Sequence, residues 1–248
     1  MRHLLILLLF ITACENSATE LDSTSDIQRQ LPAEEISILK NAEHEFLTLE
    51  LKAMTPFTKG TIILIPDWSQ HVVSPRAINH LRTNFIDYGW NTIAMMVPEP
   101  LASVDSETLL SYQTDFQGRL AEVLKRAAAK PGNVIIVAQG SSGALINNML
   151  QSEQLTAPQG LVLLSAYLQD VKLNQAVSLA ISQHKVPTLD ILHHQDNSIV
   201  SASSKVRLQL TRKSMKELYR QRVLLGNIDD EPDWLFKEVY GWLTYIGY

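Results

Sequence analysis

The sequence predicts a doubly wound α/β fold, in which a mostly parallel sheet of about eight strands carries helices on both faces. Three observations carry that expectation. The runs "TIILIP", "NTIAMMVP", "NVIIVA", "GLVLLSA" and "VPTLDIL" are strand-length and almost wholly apolar. They do not alternate with polar residues, as a strand open to water on one face would. Between them lie segments whose apolar residues recur at helical spacing. A chain of 248 residues with 46% hydrophobic content suits one well-buried domain.

In chain order, "MRHLLILLLFITAC" comes first, with a basic start, an apolar run from Leu4 to Ile11, and small residues before Cys14. The run is too short to span a bilayer, which takes roughly 20 residues. "ITAC" is similar to the lipobox of bacterial lipoproteins. That resemblance implies a signal peptide over residues 1–13, cleavage before Cys14, and lipidation of Cys14. Several acyl chains anchor a protein stably in a membrane. The same resemblance, with Glu15 in place of aspartate, implies sorting to the outer membrane, facing the periplasm. Residues 14–33 are polar and Ser/Thr-rich, and read as a flexible tether with a reach of roughly 20 Å. The folded domain is expected over 34–248.

"EISIL" and "FLTLEL" alternate and suggest an antiparallel entry hairpin. After "TIILIP", Ser74 and Pro75 open a helix that carries Ile78, Leu81, Phe85 and Tyr88 on one face and closes at Gly89. After "NTIAMMVP", a loop "EPLASVDSETLLSYQ" leads to a helix whose start is read at a capping box of Thr114 and Gln117. That helix shows Phe116, Leu120, Val123, Leu124 and Ala127 on one face, and "KPG" ends it. The span "YLQDVKLNQAVSLAISQHK" has room for one helix, with Leu173, Val177 and Ile181 aligned, and leaves space for only a minimal lid. "LYRQRVLL" is a sixth, weaker strand. A last helix from Pro232 aligns Leu235, Val239, Trp242, Leu243 and Ile246.

Bulk properties exclude some functions. A net charge of −5 gives no overall attraction to nucleic acid. With one cysteine, no intramolecular disulfide forms. The basic run "KVRLQLTRKSMKELYRQR" reads as a solvated helix face, with docking to anionic lipid as its alternative.

Ligands of open parallel sheets sit beyond the carboxyl ends of the strands, so those ends are the candidate site. After "NVIIVA" comes Gln139-Gly140-Ser141-Ser142-Gly143, a strand–turn–helix junction that suits a nucleophile elbow. Two registers are open. With Ser141 at the tip, Gly143 supplies one small neighbour and Gln139 stands where the other belongs. With Gly140 at the tip, there is no nucleophile. After "VPTLDIL", Asp196 lies where an α/β-hydrolase keeps its acid, and it also suits a turn. His193 and His194 are adjacent strand residues pointing to opposite faces, so they do not share a metal ion. No metal or cofactor is expected. The segment "GNIDDEPDW", where a triad hydrolase needs its histidine, has none, and no histidine follows His194. Without a base, a serine hydroxyl is a weak nucleophile. After "TIILIP", the loop "PDWSQH" places Asp67 and Trp68 where a hydrolase supplies an oxyanion N–H. Here His71 is either a displaced base or a structural loop histidine.

Taken in order, "GTIILIPDWSQH", "LRTNFIDYGWNTIAMMVP", "VIIVAQGSSGA", "GLVLLSAYLQD", "VPTLDILHHQD" and "GWL" resemble the bacterial α/β-hydrolase-like family described as domain of unknown function 3530. The resemblance runs from about Phe46 to Leu243. It implies a sheet of α/β-hydrolase type, often with glycine where a hydrolase has its serine, and it brings no activity with it.

Two functional expectations follow. One is an envelope-tethered protein without a complete Ser-His-Asp triad, holding a small molecule or protein partner in a cleft bounded by Asp67, Trp68, Gly140 and Ser142. The other is a serine esterase or acyl hydrolase using Ser141, Asp196 and a relocated His71 or His194.

Overall fold

The computed structural model describes residues 20–42, 44–74, 77–99, 106–228 and 230–248. The signal segment and Cys14 lie outside them. Eight strands form one sheet: β1 Ile36–Lys40, β2 Glu45–Leu51, β3 Gly60–Ile65, β4 Trp90–Met95, β5 Asn133–Gln139, β6 Gly160–Leu164, β7 Thr188–His193 and β8 Tyr219–Leu224. Their spatial order is β1-β2-β4-β3-β5-β6-β7-β8. β1 and β2 pair antiparallel, as the entry hairpin predicts; β2 also pairs antiparallel with β4, and every later pair is parallel. The chain moves outward from β3 to β4, then returns to place β5 on the other side of β3. That reversal opens a crevice at the carboxyl ends of β3 and β5.

Strand periodicity divides the core in two. Ile63, Ile65, Ile136, Ala138, Leu161 and Leu163 face one cluster, while Ile62, Leu64, Ile135, Val137, Val162 and Leu164 face the other. The first cluster is covered by α3 (Ser106–Ala128), α4 (Gly140–Gln151) and α5 (Val171–Gln183). The second is covered by α2 (Ala77–Asn84) and α7 (Pro232–Tyr245). Gly89 ends the turn after α2 with φ +88, as expected of a glycine closure. The span before β7 holds a single helix, α5, capped by the Asp170 side chain. Its Val177 and Ile181 are fully buried, so no separate cap domain forms there. Among the described residues no helix is long and apolar enough to cross a membrane.

Three expectations change. The helix before β5 begins at Ser106, not at Thr114, because the apolar spacing already starts with Leu109, Tyr112 and Phe116. Thr114 and Gln117 form no capping box. The Thr114 hydroxyl donates to the Leu110 carbonyl one turn back, and Gln117 reaches the Gln154 carbonyl. The expected tether of 14–33 is not uniformly irregular, since residues Glu20–Gln30 form the helix α1. Ile27 of α1 enters the core at 3% exposure, and Glu20 makes a forked ion pair with Arg119 of α3 at 2.5 and 3.0 Å. One apolar anchor and one bidentate pair hold a segment that is polar almost everywhere else.

The basic run also divides. It covers most of α6 (Ser198–Lys213) and of β8, and its Arg207 does not lie on a solvated face. Arg207 and Asp190 of β7 are both fully buried and paired at 3.1 Å. Tyr219 and Gln221 also donate to the Asp190 carboxylate, and Arg207 reaches the Ala166 carbonyl just past β6. A buried charge needs this degree of pairing.

At the opposite end of the sheet, Lys216 Nζ donates to the Ile181 carbonyl, Thr188 Oγ1 and the His184 ring, whose Nε2 lies 2.9 Å from Asn147 Oδ1. Burial, and then the Lys216 charge, push the His184 pKa down to about 3. The unfolded chain therefore takes up this proton first as pH falls from about 6.5, and the folded state loses stability from there down to about 3. The expected loss from this group between pH 7 and 4.5 is about 2 kcal/mol. Urea midpoints at the two pH values should show it, and His184→Leu should flatten the difference even though it lowers stability at both.

Candidate functional site

β5 arrives at Gln139 in extended conformation (φ −103, ψ 146), and the next residue, Gly140, has φ +54. A side chain at that φ is strained, so the bend demands glycine. Gly140 is therefore the residue at the tip. Ser141 and Ser142 lie beyond it in the first turn of α4, at 1% and 0% exposure. Gly143 meets a separate need: a Cβ there would stand 2.9 Å from the Ala138 carbonyl oxygen, where helix and strand run close together.

The loop after β3 closes over this bend. Asp67 Oδ1 accepts the Ser141 backbone N–H at 2.7 Å, and Oδ2 accepts the Ser69 hydroxyl at 2.7 Å. A Cβ on Gly140 would fall 2.2 Å from Asp67 Oδ1. The carboxylate thus fills the space above the bend and uses the N–H that follows it. Helix N-termini favour such an anion, because their first N–H groups lack partners within the helix. Two residues matched as cleft candidates, Asp67 and Gly140, are brought into contact. Trp68 is half-buried and meets the Tyr112 ring edge-on at 5.9 Å. Burial, then the Asp67 charge, push the Tyr112 hydroxyl well above its ordinary pKa.

Neither candidate base is hydrogen-bonded to the bend among the described residues. His71 is part-buried, and burial lowers its pKa, which keeps it neutral at pH 7. Its backbone N–H donates to Ser74 Oγ, and its Nδ1 is buried without a hydrogen-bond partner. His194 is exposed just past the end of β7, its N–H bound to the Leu224 carbonyl. Among the described residues, no hydrogen bond joins the Ser141 hydroxyl to an imidazole.

Asp196 is engaged by residues that the sequence analysis did not select. Its carboxylate accepts the Ser165 hydroxyl at 2.7–2.8 Å and the His193 backbone N–H at 2.6 Å. Ser165 follows β6 directly with φ +49, and its Oγ lies 3.3 Å from His193 Nδ1. The signal for Ser165 was its place, since it is the first residue after a buried strand at the carboxyl edge. Asp196 thus ties the ends of β6 and β7 together. Among the described residues, no group of three or more His, Cys, Asp or Glu side chains is arranged to hold a metal ion.

A sheet in this order, with a strand–glycine–helix bend after the fifth strand, defines an α/β-hydrolase fold. The chain belongs to the protein family of unknown function DUF3530, whose model matches residues 13–115 and 101–245. No curated protein has a matching sequence. Among solved structures, Est1E from Butyrivibrio proteoclasticus aligns with a TM-score of 0.68 and 10% identity, over 85% of this chain and 98% of its own. The Pyrococcus furiosus esterase Pf2001 aligns with a TM-score of 0.64 and 8% identity, over 85% and 89%. A provisionally assigned dienelactone hydrolase from Klebsiella pneumoniae gives 0.61 and 15%, over 84% and 97%. At these identities the likeness speaks for the fold.

The contact at the bend is open to a double-mutant test. Gly140→Ala puts a methyl group against the Asp67 carboxylate at a left-handed φ, and is expected to cost about 2–4 kcal/mol in urea unfolding. Asp67→Ala alone is expected to cost about 1–2 kcal/mol through the lost charged hydrogen bond. The double variant should lose at least about 1 kcal/mol less than the sum, because the second change removes what the first collides with.

Proposed function

We propose that the protein is a non-catalytic member of the α/β-hydrolase fold, using the crevice at the strand ends to hold a small molecule or a protein partner. The observation that carries this reading is the bend itself, where Gly140 occupies the nucleophile position and the Asp67 carboxylate takes the Ser141 N–H. In a hydrolase of this fold, that N–H stabilises the developing oxyanion. Here it already holds an anion that belongs to the chain. The missing histidine after β8 supports the same reading, since the late segment offers no imidazole to serve as the base of a triad. The Asp196 carboxylate takes the Ser165 hydroxyl and the His193 backbone N–H, and among the described residues no imidazole is hydrogen-bonded to it.

The setting we propose is the bacterial cell envelope, with Cys14 lipidated, residues beyond it linking the anchor to α1, and the domain held at the outer membrane facing the periplasm. The lipobox-like "ITAC" and the position of the sole cysteine support it. Metabolic labelling with a palmitate analogue should mark the native chain and not Cys14→Ser. Unlabelled native protein would remove the anchor.

A fluorophosphonate probe tests the absence of catalysis, because it forms a stable bond only with an activated serine. No labelling is expected for the native protein. Labelling that disappears in Ser141→Ala would instead establish the esterase alternative with Ser141, Asp196 and a histidine at 71 or 194.

A further inference from the structure

Around the Asp67–Gly140 contact lies a set of polar atoms that the fold itself does not use. Tyr112 Oη, Gln139 Oε1, Ser142 Oγ and His71 Nδ1 are each buried without a hydrogen-bond partner. Each is tied to the Asp67 loop or to the bend by sequence or by ring contact. Gln139 precedes Gly140 and Ser142 follows it by two residues. His71 stands on the Asp67 loop, and Tyr112 meets Trp68 edge-on. Tyr112, Gln139 and Ser142 are 4%, 6% and 0% exposed. Nearly all buried polar atoms in native proteins have partners, and an exception calls for an explanation such as a bound group from outside the chain.

The chemistry of these groups states what would complete them. Gln139 Oε1 and the Asp67 carboxylate accept only, while the two hydroxyls and a neutral imidazole can accept or donate. The corner therefore calls for donors. Asp67 forms no ion pair with any basic side chain among the described residues. Its partners are one N–H and one hydroxyl, and each oxygen keeps a second lone pair. The walls are aromatic. Trp68 and Tyr112 stand together, and Tyr167 is near enough for the Asp67 charge, after burial, to raise its hydroxyl pKa. A carboxylate set among aromatic rings is suited to organic cations, whose charge meets the carboxylate and whose carbon atoms meet the rings.

We propose that this corner binds the protonated amino group of a small organic amine, with Asp67 as its counter-ion and Trp68 and Tyr112 against its carbon atoms. The inference rests on the reading of the crevice as a binding site. It gives that site a ligand class and leaves the anchor aside.

Calorimetric titration of the full chain, purified in detergent, tests it with benzylammonium chloride and with benzyl alcohol as the neutral counterpart. Saturable binding of benzylammonium is expected, at least about tenfold tighter than the alcohol. Asp67→Asn keeps an oxygen for the Ser141 N–H and removes the charge, and should weaken benzylammonium about tenfold without weakening the alcohol. Trp68→Leu keeps the carboxylate and should weaken both ligands. The Trp68 variant keeps the test open if Asp67→Asn fails to fold. Absence of saturable benzylammonium binding, equal affinity for the alcohol, or unchanged binding in either folded variant overturns the proposal. Serine-dependent fluorophosphonate labelling would remove the non-catalytic reading and leave amine binding standing. Absent amine binding in an unlabelled protein would remove the amine site alone.

Discussion

The hydrogen bond from the Ser141 N–H to the Asp67 carboxylate is the constraint on which the rest of the crevice depends. It joins the loop after β3 to the first turn of α4, the two segments that flank the topological switch of the sheet. Its geometry requires glycine at 140, since any side chain there would meet the carboxylate. It also gives the helix N-terminus an internal anion, which that terminus would otherwise take from solvent or ligand. One bond therefore fixes the bend, excludes a side chain at its tip, and uses the donor a hydrolase keeps free.

The neighbouring strand ends are closed in a similar way. Asp196 secures β6 to β7 through Ser165 and the His193 N–H, and the buried Arg207 connects Asp190 with the Ala166 carbonyl. Polar groups at the end of the sheet where a hydrolase assembles catalysis are here spent on holding loops to one another. Tyr112 Oη, Gln139 Oε1, Ser142 Oγ and His71 Nδ1, together with Arg207 Nε, are buried there without a partner.

Strands and their order of appearance were legible because strands buried on both faces must be apolar throughout, and "NVIIVA" or "TIILIP" admits few other readings. Helix starts were less legible. Thr114 and Gln117 have capping-box spacing, yet Leu109 and Tyr112 extend the buried face a further two turns and prevail by packing. α1 could not be read from composition, because its place depends on Glu20 meeting Arg119, a partner far along the chain. The same holds for the site. Gly140 and Asp67 were both recognisable as strand-end residues, and the choice of register at the bend depended on which of the two contacted which. Ser165 was not recognised, since a lone serine after a strand has no local pattern that foretells a carboxylate partner from the next loop.

The central claim is that the Asp67 carboxylate holds the Ser141 amide, and NMR of the backbone amide of Ser141 tests it most directly. An N–H bonded to a charged carboxylate resonates downfield of one bonded to a neutral group. Asp67→Asn should move the Ser141 amide upfield while the resonances of the later turns of α4 stay in place. A Ser141 amide at the same shift in both proteins would contradict the account.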